Sequence, residues 1–184
     1  LLHIDPYYGT YYLRVNVKKE PFDNKLVRKA LSLAIDRKKI VEYVSKGGQI
    51  PAFSFTPPDP NSYYPPTSLE FNPELARTLL DEARVSKEKA TFELLYNTSE
   101  GHQKLAQAIQ QMWKENLNID VQLTNTDWKV YLSRQSIGDY SIARAGWIGD
   151  YVDPKTFLDM MVTGRGNNQT GWSNSEYDDL LVKA

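Results

Sequence analysis

Cysteine is absent from the 184 residues. That excludes disulfides, thiolate metal sites and a cysteine nucleophile together. Histidine occurs only at His3 and His102, far apart and outside any HExxH-type spacing, so a zinc centre is not expected. A surplus of one charge is missing as well. The formal net charge of −1 provides no field to steer nucleic acid or an anionic membrane surface. No apolar run is long enough to span a bilayer. There is no Gly-x-Ser-x-Gly elbow, no Walker loop and no dinucleotide fingerprint after the first strand. Acid pairs such as Asp81-Glu82 and Asp178-Asp179 are adjacent on helices, so their carboxylates diverge. An enzyme is not expected, and no cofactor is implied.

Aromatics are plentiful: twelve Tyr and four Trp bring the aromatic share to 12%, within a hydrophobic total of 41%. This composition belongs to a folded protein with an aromatic-rich surface or cleft. The chain is long enough to bury a core. It opens on Leu1-Leu2-His3 and stops inside a helical pattern, Ser175 to Ala184, so it reads as one domain, 1–184, cut at both ends from a larger protein.

Alternation predicts a first strand over Tyr11 to Val17. Asp23 or Asn24 then caps a helix whose inner face is Val27, Ala30, Leu31, Ala34 and Ile35. Asp36 caps a second, short helix that ends at Gly47-Gly48. The lysines and arginines of these helices read as their wet faces. Residues 49–68 hold most of the ten prolines and carry Phe53, Phe55, Tyr63 and Tyr64, so a packed loop that shapes a cleft is expected. Asn72-Pro73 is a cap followed by a proline in the first turn. Thr91 to Tyr96 is a second strand. The helix after Ser99 turns Leu105, Ala108, Ile109, Met112 and Trp113 inward, and Ile119, Val121 and Leu123 form a third strand. Strand, helix and strand at this spacing make a βαβ unit. Asp127 caps a helix carrying Trp128 and Tyr131, and a helix follows around Thr156 to Met161. The fold class is therefore α/β, with a mixed sheet of four or five strands flanked by helices.

One stretch stands apart: Tyr140-Ser-Ile-Ala-Arg-Ala-Gly-Trp-Ile-Gly-Asp-Tyr-Val-Asp-Pro154. It begins as a strand. Gly146 then removes a side chain, which lets another backbone approach. Trp147 adds an apolar wall, and Asp150 adds a charge that would suit a cationic ligand end, such as that of a peptide. The alternative is plain architecture, with Trp147 in the core and Asp150 capping. Asn97 and His102 lie at a second strand end, where ligands collect in open α/β sheets. Trp128 and Arg144 could line the same pocket. Singly, each also fits an ordinary role in core, surface pair or helix face; together, at successive strand ends, they favour a binding site.

These motifs, in this order, resemble the oligopeptide-binding proteins of ABC transporters, within the peptide, dipeptide and nickel solute-binding family. The resemblance is carried by Tyr11-Tyr-Leu-Arg-Val-Asn16 and by Pro21-Phe-Asp-Asn-Lys-Leu-Val-Arg-Lys-Ala-Leu-Ser-Leu-Ala-Ile-Asp-Arg37. It continues through Pro51-Ala52, Thr56-Pro57-Pro58, Leu95-Tyr-Asn-Thr-Ser99, Asn125-Thr-Asp-Trp-Lys129 and Ala143-Arg-Ala-Gly-Trp147 to Asp150-Tyr151. It implies one lobe of a two-lobed periplasmic-binding-protein-like fold, this chain covering most of the second lobe. It also implies a monomer, periplasmic or otherwise extracytoplasmic, with or without a lipid anchor, that hands an oligopeptide to the permease subunits of an importer. The backbone of Ala145, Gly146, Trp147 and Ile148 would hold the peptide main chain, and Asp150 its α-ammonium. Arg144 and His102 would serve the carboxylate end or side-chain pockets, with Trp128 as a wall. Arg14 departs from the acidic residue that the resemblance implies there, which would invert the charge preference of a pocket. Arg134 and Gln135 are two candidates for one ligand-facing position, and Ser45 and Lys46 for another. The alternatives are a binder of dipeptides, nickel or another small solute, and a surface lipoprotein acting as adhesin or receptor.

Overall fold

The computed structural model describes residues 7–59, 63–66, 70–85 and 91–183. Strand β1 (Gly9–Val15) is followed by helix α1 (Lys25–Leu33) and a short α2 (Arg37–Lys39), which runs into a π-helical stretch at Ile40–Ser45. Next come α3 (Pro73–Ala83), β2 (Phe92–Asn97), α4 (Glu100–Leu117), β3 (Val121–Thr126), α5 (Trp128–Ser136) and β4 (Ile142–Ile148). Then α6 (Lys155–Leu158), one 3-10 turn at Asp159–Met161 and α7 (Ser175–Lys183) complete the order. The sheet has four strands in the order β1-β4-β2-β3, within the expected range. β1 is antiparallel to β4, while β4–β2 and β2–β3 are parallel.

Four of the caps are the expected ones, while at the start of α4 the expected cap is missing: Ser99 stands at the cap position but its side chain makes no cap bond. The Asn24, Asp36, Asn72 and Asp127 side chains each accept a backbone N–H of the following helix, satisfying donors that a helix start leaves free. The second helix ends at Ser45, two residues before Gly47, because Lys46 itself adopts the left-handed conformation (φ 54°). Asn118 does the same after α4, at φ 53°.

Alternation along the strands builds two apolar layers. Leu94, Tyr96 and Ile142 join Val27, Leu31, Ala76, Ile109 and Trp113 on the face covered by α1, α3 and α4. Leu95 and Ala143 point the other way, to Tyr131 of α5 and Tyr140. On α4 the buried stripe is Ala106, Ile109, Trp113 and Leu117; Leu105, Ala108 and Met112 flank it half-buried. Tyr140 lies just outside β4, fully buried, and its hydroxyl donates to the Gln169 carbonyl. The aromatic loop is packed where it is described. Phe55 meets Tyr12 edge-on with ring centres 4.9 Å apart, and Phe157 at 6.0 Å. The parts of the loop at 60–62 and 67–69 fall outside the described residues, as do His3 and Ala184.

Candidate functional site

The helices after β2 and before β4 lie on opposite faces of the sheet, so the carboxyl ends of β2 and β4 open into a crevice. Their ladder is short: only Leu94–Ile142 and Leu95–Ala143 pair. β2 continues beside β3 as far as Asn97–Thr126, and β4 beside β1 as far as Ile148–Gly9. From Arg144 to Ile148, then, the edge of β4 that faces β2 has no strand partner among the described residues.

The direction of the backbone groups on that edge follows from alternation. Ser141 O accepts from Asn16 N and Gly149 N donates to Tyr8 O, so odd positions of this strand face β1. Gly146 and Ile148 direct their N–H and C=O into the crevice, while Ala145 and Trp147 turn theirs to β1. Only two of the four expected backbone positions open to the crevice. The space beside Gly146 is open: a Cβ there would meet nothing nearer than Thr10 O at 3.8 Å.

Arg144 crosses the gap that the ladder leaves. Its Nε donates to Asn97 Oδ1 at 2.7 Å, and its Nη2 donates to the same oxygen. Its guanidinium carbon lies 5.7 Å from the Trp128 ring centre and 5.1 Å from that of Tyr131, an attraction between cation and ring quadrupole. Those two rings stack at 5.5 Å. The guanidinium is thus pinned at one end, and its remaining N–H donors have no acceptor among the described residues. Asn97, with its oxygen engaged, presents an N–H donor.

His102, in the first turn of α4, stands 3.4 Å from the Tyr11 hydroxyl through Nδ1. Tyr11 sits opposite Gly146 in the β1–β4 ladder. Burial raises the Tyr11 and Tyr131 phenols, with Arg144 opposing in both cases, so both are neutral donors at physiological pH. Burial first, and the Arg144 charge second, lower His102 below its ordinary 6.5. The folded state therefore binds the His102 proton less well than the unfolded chain does. Its contribution to stability is present above pH 6.5 and is lost as pH falls through the lowered folded value. His102→Gln is expected to flatten the fall in urea midpoint between about pH 7.5 and about pH 5. Parallel profiles for the two proteins would remove His102 from that role.

Asp150 is exposed. Its backbone N–H donates to Thr156 Oγ1 at 3.1 Å, and its carboxylate makes no ion pair with a described residue. Trp147 projects to the face opposite Gly146, half-buried, with Nε1 donating to Thr156 Oγ1 at 3.3 Å. Trp128, in contrast, is 55% exposed, as a pocket wall would be. Of the two candidates at the end of α5, Arg134 is held by Glu93 at 2.6 Å and Asp139 at 2.9 Å. Gln135 points inward and donates to the Tyr131 hydroxyl at 2.5 Å. Ser45 ends the π-helical stretch, and Lys46 is exposed.

Sequence reasoning passed over Tyr11 and Tyr131 as site residues. Tyr131, whose hydroxyl donates to the Arg144 carbonyl, reads as an ordinary inward helix position. Tyr11 reaches the site only through its register with Gly146, for which the sequence carries no local signal.

An open α/β lobe with a free strand edge, a pinned arginine and an exposed carboxylate at its strand ends defines a solute-binding type of protein. Residues 2–169 match the family described as bacterial extracellular solute-binding proteins, family 5 Middle, and the chain belongs to that family. It is 39% identical over 190 residues to the oligopeptide-binding protein OppA of Bacillus subtilis (strain 168), matching 98% of this chain and 35% of that protein. It is also 39% identical over 191 residues to the periplasmic murein peptide-binding protein MppA of Escherichia coli (strain K12), across 100% of this chain and 35% of the relative. The oligopeptide-binding protein OppAIV of Borrelia burgdorferi superposes with a TM-score of 0.88 at 43% identity, over 96% of this chain and 36% of that one. Haemophilus influenzae OppA in complex with the peptide RPPGFSPFR gives 0.84 at 39% identity, over 96% and 36%. The chain thus spans about a third of the length of these relatives.

Proposed function

We propose that this chain is a ligand-binding lobe of an extracytoplasmic protein that captures oligopeptides in extended form and delivers them to an ABC importer. The observation that carries the reading is the unpaired edge of β4, where Gly146 and Ile148 present backbone N–H and C=O groups to an open crevice. An extended peptide satisfies such an edge by adding a strand, which gives affinity largely independent of its side chains. Arg144, with His102 beside it, meets the carboxylate end, and Asp150 the α-ammonium, by charge-assisted hydrogen bonds. A second lobe closes over the peptide, and the permease receives the closed form; a ligand touching both lobes stabilises closure by its differential affinity. The protein works as a monomer outside the cytoplasm and catalyses nothing.

Calorimetry on the intact protein tests this. A mixed-sequence tri- to pentapeptide is expected to bind tightly, and its N-acetylated form about a hundredfold more weakly. Asp150→Ala should weaken the free peptide by a similar factor and the acetylated one hardly at all. Equal binding of both peptides by the parent protein would take Asp150 out of the site. No binding of either would sink the peptide reading in favour of a small solute.

A further inference from the structure

The net charge near zero hides a segregation. Residues 25–39 hold six of the 22 lysines and arginines but one of the 23 acids, a local charge of +5 against −6 for all the rest. The fold gathers this charge on one surface. On α1 the residues Val27, Ala30 and Leu31 are buried, so by helical spacing Lys25, Lys29 and Ser32 point away from the core, with Arg28 beside them. Arg37 continues the strip. Its Nη2 donates to Ser32 Oγ at 2.7 Å and its Nη1 to the Ser32 carbonyl at 3.1 Å, which lays the start of α2 against the outer side of α1. Lys38 and Lys39 follow, both exposed. The one acid of the segment, Asp36, caps α2, and its side chain is 16% exposed against 67% for Lys39.

The two kinds of cation on this strip behave differently. Arg28 and Arg37 are half-buried and turn guanidinium donors inward, Arg28 to the Phe22 and Asp23 carbonyls at 2.6 and 3.0 Å, Arg37 to those of Ser32 and Ile35. A bidentate grip on a partner's carboxylate would have to break those bonds. The ammonium groups of Lys25, Lys29 and Lys38 have no hydrogen bond or ion pair with a described residue, and that of Lys39 has only the 4.0 Å contact with Asp36. Exposed lysines with no apolar side chain among them make a poor protein interface, where lysine is depleted and aromatics are enriched. They suit a partner whose negative charge is diffuse and mobile, as on an anionic lipid surface. α3, packed beside α1, carries Glu74, Asp81 and Glu82 and bounds the cationic face on that side.

The strip also lies away from the candidate ligand site. α1 covers the side of the sheet that holds Leu94 and Tyr96, whereas Arg144 and Asn97 meet on the other side, beside Trp128 and Tyr131 of α5. We propose that the outer face of α1 and α2 is a docking surface for an anionic phospholipid membrane, made by Lys25, Lys29, Lys38 and Lys39. This goes beyond the peptide-binding reading and does not depend on it. The contact is electrostatic and peripheral: the ammonium groups sit among lipid phosphates and nothing apolar inserts. With the strip against the bilayer, the crevice residues stay on the far side of the sheet, so docking and solute capture do not compete.

The test is cosedimentation of the intact protein, free of covalent lipid, with vesicles of equal parts phosphatidylglycerol and phosphatidylcholine, beside vesicles of phosphatidylcholine alone. Binding is expected to the anionic vesicles only, and to fall about tenfold or more between about 0.05 and about 0.5 M salt as screening shortens its range. Lys25→Ala with Lys29→Ala, and separately Lys38→Ala with Lys39→Ala, should each weaken binding about thirtyfold, at roughly fivefold per lysine. Lys18→Ala with Lys129→Ala removes the same charge from the region of α5 and should change binding by less than about threefold. All six lysines are exposed, and a thermal melt of each variant checks that it is folded. Equal loss in the Lys18 and Lys129 variant would mean a response to net charge alone and overturn the surface. So would no binding to anionic vesicles, or binding that neither strip variant weakens. If the strip variants keep vesicle binding but lose association with the permease in phosphatidylcholine nanodiscs, the face belongs to a protein partner and the membrane proposal falls. Peptide affinity, read by calorimetry, should match in parent and strip variants; absence of any peptide binding would sink that reading and leave this one standing.

Discussion

Arg144→Ala in the intact protein is expected to weaken peptide binding by roughly two to three orders of magnitude, because truncating one partner of a desolvated charge pair costs about 2–5 kcal/mol. The fold itself holds the Arg144 side chain in place. Asn97 Oδ1 fixes one end of the fork, and the stacked Trp128 and Tyr131 rings have their centres 5.7 and 5.1 Å from its carbon. On the proposed function, a ligand carboxylate would meet a guanidinium whose ordering cost is met in the fold. Arg144→Lys keeps the charge but not the planar fork, so an intermediate loss is expected. Titrating parent and variants with one unmodified peptide, beside thermal melts of each, separates binding from folding. Affinity within threefold of the parent for Arg144→Ala, with a normal melt, would take this residue out of ligand contact.

The second large effect is on stability. Trp113→Ala is expected to cost about 3–5 kcal/mol, the range for removing a large buried aromatic. Trp113 is 1% exposed and packs on Phe92 at 5.8 Å, which in turn packs on Phe22 at 4.9 Å. Its Nε1 donates to the Leu31 carbonyl at 2.9 Å, tying α4 to α1 across the core, so the substitution also strands a buried acceptor. Trp113→Phe keeps most of the volume and loses only that bond; about 1–3 kcal/mol is expected. Urea unfolding followed by circular dichroism reads both. If the alanine variant lost less than about 1 kcal/mol, the core here would have to collapse far more readily than close packing allows.

The helix starts were legible because capping is local. An Asn or Asp side chain reaches an N–H two or three residues on, so Asn24, Asp36, Asn72 and Asp127 announce their helices without knowledge of the rest of the chain. The apolar face of α1 was legible for the same reason. The β2–α4–β3 unit followed from periodicity and spacing. Boundaries were less sharp. Lys46 closes its helix where glycine was expected, and β4 begins two residues after Tyr140, because local propensity near an end yields to packing.

For the site, the residue types and their place at strand ends were readable, and the motifs carried the family. The contacts were not. That Asn97 receives Arg144, that Tyr11 stands over Gly146, and that Gly146 and Ile148 rather than Ala145 and Trp147 open to the crevice all depend on register. Register joins residues about 50 to 140 positions apart, and a shift of one step would turn every side chain to the other face.

By itself, then, the sequence determined the α/β class, the caps, the inner helix faces and the chemistry available at two strand ends. The tertiary structure decided that β4 lies between β1 and β2, that its ladder with β2 stops at Ala143, and that the buried Arg14 pairs with no carboxylate among the described residues. The physical reason is range. Caps and amphipathic periods are set within a turn or two of chain, whereas strand pairing and the burial of a charge depend on segments that meet only when the sheet closes.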